Sequence, residues 1–73
     1  MNDGMTLREL REQSGKTRAD VAAALGVTVS AVFKYESGTR FIDIQQVKIL
    51  KEFYGVSAEE VIDCQLNSCR YVQ

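Results

Sequence analysis

Few side chains in this chain of 73 residues have types and spacings suited to covalent or metal chemistry. The sequence has no histidine, and its two cysteines, Cys64 and Cys69, lie near the C-terminus. Their spacing matches no zinc motif, and no other group of metal ligands accompanies them. No nucleophile stands beside a base that could activate it. We therefore predict no metal, no cofactor and no enzymatic activity, and we expect both thiols to be reduced.

The charged residues indicate a different chemistry, which is binding to an anionic polymer. The net charge of −1 is not that of a typical nucleic-acid-binding domain. Between residues 16 and 51, however, three acids are outnumbered by six basic residues: Lys16, Arg18, Lys34, Arg40, Lys48 and Lys51. The acidic block that follows consists of Glu52, Glu59, Glu60 and Asp63. A basic surface with an acidic end would orient the molecule on a polyanion, although a well-mixed solvated surface is the alternative.

Helix-capping signals predict the elements that must position these charges. Four pairs have the form of capping boxes, in which a cap side chain and a side chain three residues later bond each other's backbone N–H; they are Thr6 with Glu9, Thr17 with Asp20, Asp43 with Gln46, and Ser57 with Glu60. Thr28 is a simple N-cap. The glycines expected to end the helices are Gly15, Gly26, Gly38 and Gly55. The signals and the apolar spacing predict helices near residues 6–14, 17–25, 28–37, 43–54 and 57–63.

The fold class predicted from these elements is all-α, a five-helix globule. Each helix is near or below the ~12–15 residues needed for marginal stability in water, so packing must stabilise them. We expect an N-terminal tail over 1–5, one domain over 6–63 and a C-terminal tail over 64–73. No apolar run approaches the roughly 18 residues of a membrane span, and no secretory signal is apparent, so we expect no membrane association and a cytoplasmic protein.

The segment from Thr17 to Ser37 has the form of a helix-turn-helix. Two short predicted helices are joined by three to four residues that include Gly26. Ala22, Ala23 and Ala24 give the first of these two helices small side chains, so that the second can cross it closely. The same pattern also suits an ordinary corner between two helices in a small bundle.

The motifs and their order resemble the Cro/CI (Xre-type) family of helix-turn-helix repressors. The resemblance runs from about residue 5 to residue 63. It is carried by residues 6–15 (TLRELREQSG), 20–28 (DVAAALGVT), 35–38 (YESG) and 54–57 (YGVS). It implies a lambda-repressor-like DNA-binding domain whose third helix, about 28–37, enters the major groove of double-stranded DNA.

Carried over by position, the resemblance implies which residues contact DNA. The expected base contacts are Val29, Ser30, Phe33 and Lys34. Lysine can donate to guanine, serine to several base edges, and apolar side chains can touch a thymine methyl. The expected phosphate contacts are Arg18, Thr28 and Arg40, which would position the protein without reading sequence.

The resemblance also implies a structural ion pair between Glu36 and a basic residue of the first helix, which we take to be Arg11. The alternative for this pair is an exposed contact that contributes little to stability.

Three departures from the family pattern bear on function. The family's frequent proline after the third helix is replaced by Phe41-Ile42, which leaves the conformation of that loop open. Few groove-facing residues are Gln, Asn or Arg, so we expect few direct hydrogen bonds to base edges and modest sequence specificity. Val29 and Phe33 form an apolar i,i+4 pair that could contact thymine methyls, bind a protein partner, or, for Phe33, fold back into the core.

The C-terminal residues allow two interpretations. Leu66, Cys69, Tyr71 and Val72 are more apolar than a solvated tail requires, so they could pack on the fifth helix or pair with a second copy. Dimerisation through this region is common in the family that the chain resembles, so the resemblance implies a homodimer on a two-fold symmetric site. The function predicted is sequence-specific regulation of transcription, and the alternative is a protein-interaction module on the same fold, such as an antirepressor or antitoxin-like component.

Overall fold

The computed structural model of the protein describes residues 4–69 and contains five helices. They are α1 (Leu7–Gln13), α2 (Arg18–Leu25), α3 (Val29–Ser37), α4 (Ile44–Tyr54) and α5 (Ala58–Ser68). The described part of the chain has no β-strand. The prediction of an all-α, five-helix fold is confirmed.

The helices begin where the capping residues predict. All four capping boxes are present, and in each the cap side chain accepts from a backbone N–H while the third helical side chain accepts from the cap N–H. Thr28 caps α3 alone, through a bond from the N–H of Ala31 to its hydroxyl. Gly26, Gly38 and Gly55 end α2, α3 and α4 in the left-handed conformation, which costs glycine little. α1 is capped by Ser14, and Gly15 follows with a positive φ.

Two apolar clusters hold these short helices together. One is built around Val32 and Val61, the two most completely buried side chains, with Val21, Ala22, Val47 and Leu50. The other joins α1, α3 and α5 through Leu7, Leu10, Ala31, Tyr35 and Cys64. Since the same half-buried residues of the connecting loops, such as Val27 and Ile42, pack against both clusters, the core is continuous.

The α2–α3 unit is a helix-turn-helix whose second helix faces outward. Gly26 turns the chain at φ 70°, and the N–H of Val27 donates to the carbonyl of Ala22 at 3.0 Å. Ala22 and Val32 are buried between the two helices. The side of α3 that carries Ala31, Val32 and Tyr35 is thereby buried, and its opposite side is left for solvent.

One expectation from the sequence is wrong, since the fifth helix does not end near residue 63 but continues to Ser68. Cysteine, asparagine and serine are weak helix formers, which is why the pattern predicts an early end. Tertiary hydrogen bonds stabilise the extra turns. The N–H of Leu7 donates to Ser68 Oγ at 2.9 Å, Asn67 Nδ2 donates to the carbonyl of Met5 at 2.9 Å, and the N–H of Ile42 donates to Gln65 Oε1 at 2.9 Å.

The side chains of the expected tail therefore divide between the core and the surface. Cys64 is buried, Cys69 is half-buried, and Leu66 projects outward with 59% of its surface exposed. Leu66 is therefore not packed on the fifth helix, and that alternative is wrong for this residue. Tyr71 and Val72 lie outside the described residues.

Candidate nucleic-acid interface

The exposed side of α3 carries all four residues expected to contact bases. Val29 is 48% exposed and Phe33 54%, and Ser30 and Lys34 are also exposed. Phe33 therefore does not fold back into the core, and that alternative is wrong. The four side chains share a surface because positions one, two, five and six of a helix segment lie within one half of its circumference.

Thr28 lies at the N-terminus of this surface. Its hydroxyl oxygen accepts from the N–H of Ala31 at 3.1 Å, and the residue is exposed. The hydroxyl proton is not used in that bond, so Thr28 can cap the helix and still donate to an external acceptor. The first N–H groups of a helix favour an anion at the same place.

Arg11 and Glu36 form a buried ion pair behind this surface. Arg11 Nε lies 2.6 Å from Glu36 Oε2, and the two side chains are 10% and 7% exposed. Arg11 Nη1 also donates to the carbonyl of Lys16 at 3.0 Å. The pair thus connects α1, α3 and the loop before α2, and its hydrogen bonds raise the pKa of Arg11 above its ordinary value. This burial excludes the alternative of a solvated pair.

Arg18 makes two contacts that are not predicted by the sequence. Its Nε donates to Glu36 Oε1 at 3.1 Å, and its guanidinium carbon lies 5.3 Å from the centre of the Phe33 ring. Glu36 thereby joins two arginines, and Arg18 lies between the acid and the exposed aromatic ring. Eighteen residues separate Arg18 from Glu36, so no local spacing could have revealed the contact.

These residues border a small cleft beside α3. The cleft has a volume of about 150 Å³ and is lined by Arg8, Arg18, Phe33, Glu36 and Ser37. Arg8 lies at its α1 side and is paired with Glu12 at 3.0 Å in an exposed contact. The two arginines and the acid inside it make a polar recess next to an apolar ring.

Arg40 lies beyond the C-terminus of α3 in a structured turn. The N–H groups of Thr39 and Arg40 both donate to the carbonyl of Lys34, at 3.0 and 3.2 Å, and the Arg40 guanidinium lies 5.7 Å from the centre of the Tyr35 ring. The departure at Phe41-Ile42 is accommodated, because Ile42 has an N–H that donates to Gln65 Oε1. A proline at residue 42 could not make this bond.

Other chemistry has little support in the described residues. Between residues 4 and 69 no group of three or more Cys, Asp or Glu side chains is arranged to hold a metal ion. Burial raises the pKa of the Cys64 thiol to about 11, with nearby acids adding to the effect, so it is neutral and a poor nucleophile at pH 7. No described helix combines the length and the apolar character needed to cross a bilayer.

Comparisons with known proteins place this sequence among helix-turn-helix domains. Residues 4–62 match the family model described as a helix-turn-helix domain. The chain is 36% identical over 61 residues to a protein of Pyrococcus furiosus named as an HTH-type transcriptional regulatory protein, which covers 84% of this chain and 19% of that protein. It is also 36% identical over 62 residues to the cryptic phage CTXphi transcriptional repressor RstR from Vibrio cholerae, with 84% of this chain and 56% of that protein covered.

The chain therefore spans about a fifth of one of these relatives and just over half of the other. No solved structure matches it.

Proposed function

This chain belongs to the Cro/CI (Xre-type) helix-turn-helix family, and from that premise we propose that it is a transcriptional regulator that binds specific sites on duplex DNA. The family is not one of enzymes, which agrees with the prediction from the sequence. In the proposed complex α3 lies in the major groove, whose width admits one α-helix.

The observation that carries this proposal is the division of α3 into a packed side and an exposed side. The packed side fixes the helix to α2 and the core, while Val29, Ser30, Phe33 and Lys34 point away from it. Lys34 would donate to guanine O6 or N7, Ser30 would bond one of several base edges, and the apolar pair would contact thymine methyl groups.

Residues around the ends of α3 would contact the phosphate backbone. Thr28 lies at the N-terminus of α3 and Arg40 lies beyond its C-terminus, so the two would bracket the segment of groove that the helix enters. Arg18 would contribute positive charge from the side of α2. Contacts of this kind set the register of the protein on the duplex and make binding salt-dependent.

We also propose that the protein acts as a homodimer. Phe41, Ile44, Ile62 and Leu66 are exposed apolar side chains, and the Ile42–Gln65 hydrogen bond joins the loop before α4 to α5. An apolar surface of this kind is typical of a protein contact. Two copies joined in this way would read two half-sites related by two-fold symmetry.

A protein-interaction module is the second candidate, and the exposure of Val29 and Phe33 favours it. In that case the outer side of α3 would bind a protein rather than a groove. The salt dependence of binding distinguishes the two, because phosphate contacts release counterions and apolar contacts do not.

The test is a titration of the purified protein against the DNA upstream of its own gene, with a scrambled duplex beside it. Fluorescence anisotropy at about 50 and 200 mM salt would give the affinity and its salt slope, which is expected near −0.9 per neutralised phosphate. Tight, salt-sensitive binding that prefers the native fragment supports the proposal. A folded helical protein that binds neither duplex argues against the proposal and favours the protein partner.

A further inference from the structure

Arg18 is held in place by a carboxylate that is itself fixed. Glu36 is almost fully buried and is fastened by Arg11 at 2.6 Å, and its second oxygen accepts from Arg18 Nε at 3.1 Å. Since the acceptor cannot swing away, the guanidinium of Arg18 stays beside α3 even though 36% of the side chain is exposed.

The fixed guanidinium lies against the Phe33 ring. The distance of 5.3 Å from the guanidinium carbon to the ring centre falls within the range of cation–π contacts. An exposed phenylalanine on a helix normally exchanges between side-chain rotamers, because nothing on its outer side favours one of them. Here one side of the ring is covered by a cation, and more than half of the residue remains open to solvent.

We propose that Arg18 is a positioning residue, which holds the Phe33 ring on the groove-facing surface as a reader of C5-methyl groups. The inference deepens the proposed function and rests on it. The partner it specifies is a duplex with thymine, or another C5-methylated pyrimidine, at the base step that faces Phe33. The C5-methyl of thymine lies in the major groove, where an apolar side chain can contact it.

Val29 extends the same apolar surface. It lies one turn before Phe33 on the exposed side of α3 and is about equally exposed. A ring and a branched side chain at this spacing form a strip long enough for neighbouring methyl groups on successive base pairs. The polar Ser30 and Lys34 lie beside this strip rather than within it, which separates methyl recognition from hydrogen-bond recognition.

A positioning role differs from the phosphate contact that the sequence suggests for Arg18. A residue that contacts a DNA phosphate contributes equally to binding on all sequences, and its removal flattens the salt slope by about one unit. A positioning residue acts through Phe33, so its removal changes the preference for a methyl group. The two roles therefore predict changes in different measured quantities.

The experiment begins with duplexes selected from a random library by the purified wild-type protein. Each thymine of the best duplex is then replaced by deoxyuridine, which removes only the C5-methyl. The wild type is expected to lose roughly fourfold in affinity at one or two thymines, the effect of one buried methylene-sized group. Failure to select any preferred duplex overturns the proposed function, and this inference with it.

Three variants separate positioning from charge. Phe33→Ala and Arg18→Lys should bring the thymine-to-uracil ratio close to one at the thymine that faces Phe33. Arg18→Lys should keep the wild-type salt slope because lysine retains the charge, but its single ammonium cannot bond Glu36 and cover the ring at the same time, as the guanidinium does. Arg40→Lys is the matched control and should leave the ratio unchanged. Circular dichroism establishes that each variant is folded.

Two results would overturn the inference while leaving DNA binding intact. One is a wild-type protein with a ratio of one at every thymine of the selected duplex. The other is a folded Arg18→Lys or Phe33→Ala protein that keeps the wild-type ratio. If Arg18→Lys does not fold, Arg18→Gln takes its place, because Phe33→Ala tests the ring but not the residue that positions it.

Discussion

Glu36 lies where two arginines meet beneath the exposed side of α3, and its carboxylate would repel DNA if it were not paired. With Arg11 and Arg18 the group of three carries one net positive charge. Glu36 can therefore hold Arg18 beside α3 without adding an uncompensated negative charge to the proposed interface. A buried ion pair is not by itself a strong stabiliser, but removing one partner is costly because the other charge stays buried.

The first prediction follows from this burial. Arg11→Ala should lower the free energy of unfolding by about 3 kcal/mol, since it leaves the buried carboxylate of Glu36 with Arg18 as its one cationic partner and removes the donor to the carbonyl of Lys16. Arg8→Ala is the control, because the Arg8–Glu12 pair is 62% and 51% exposed and should contribute less than about 1 kcal/mol. Urea denaturation measures both. Equal losses in the two variants would mean that the buried pair does not stabilise the fold.

The second prediction concerns Lys34, the one basic residue on the exposed side of α3. Lys34→Ala should cost about 1–3 kcal/mol in binding to the preferred site and relax the preference at a single base pair. Lys48→Ala removes the same charge from an exposed position of α4 and should leave base preference unchanged. Binding to a set of duplexes with single base-pair changes is the measurement. Unchanged preference in Lys34→Ala would refute the groove assignment.

At the scale of the element, α5 is stabilised by burial rather than by propensity. Its inner side places Val61, Cys64, Gln65 and Ser68 in the interior. Cys64 is only 4% exposed, and the pKa of its thiol is raised from 9.0 to about 11, chiefly because burial disfavours the thiolate. The folded state therefore retains this proton at pH values where the unfolded chain loses it.

The third prediction is a loss of stability in alkali. Because the folded pKa of Cys64 lies above the unfolded one, its contribution is complete below pH 9 and declines between pH 9 and about 11. Cys64→Ala should show a shallower decline than the wild type over this range in urea denaturation, whatever its stability at pH 7. The same slope in both proteins would contradict the prediction. Tyr54, whose pKa burial raises to about 12, should account for a further decline that remains in the variant.

Element boundaries show what local sequence can predict and where it fails. Every helix starts within one residue of its predicted position, because Thr6, Thr17, Thr28, Asp43 and Ser57 each bond a backbone N–H a few residues away. The end of α5 could not be predicted in this way. Ser68 and Asn67 bond to Leu7 and Met5, so the signal lies about sixty residues away along the chain.

The candidate interface shows the same division. The exposed positions of α3 follow from helical spacing, and the family resemblance supplies Arg11 as the partner of Glu36. The contacts of Arg18 with Glu36 and Phe33 depend on how α2 crosses α3, which no spacing within either helix specifies. Which bases these side chains would read depends on the DNA, and it stays a prediction.

At the scale of the whole molecule, the proposed DNA-binding and self-association surfaces involve different helices. The first is the exposed side of α3. The second combines the loop after α3 with the start of α4 and the outer side of α5. Because both surfaces belong to helices packed on one continuous core, a dimer would set the distance between two copies of α3, and with it the spacing of half-sites.

The fourth prediction tests this second surface. Replacing Ile62 and Leu66 together with Glu should convert the protein to a monomer, because two added charges cannot be buried against a second copy. Ile49→Glu is the control, at another exposed apolar position on α4. Sedimentation equilibrium at a protein concentration of roughly tens of micromolar gives the mass of each protein. A wild-type monomer at that concentration would exclude a stable dimer of the free protein.

The hydrogen bonds that join Met5 to Asn67 and Leu7 to Ser68 have a further consequence for topology. They place the two ends of the folded domain side by side, so a tether attached at either end would leave from the same point. A linker of a few residues between those ends, with the chain reopened at the exposed turn around Gly55, would give a circular permutant that keeps all five helices. In that permutant α5 would be synthesised before α1, although the two helices would still pack against each other in the folded domain.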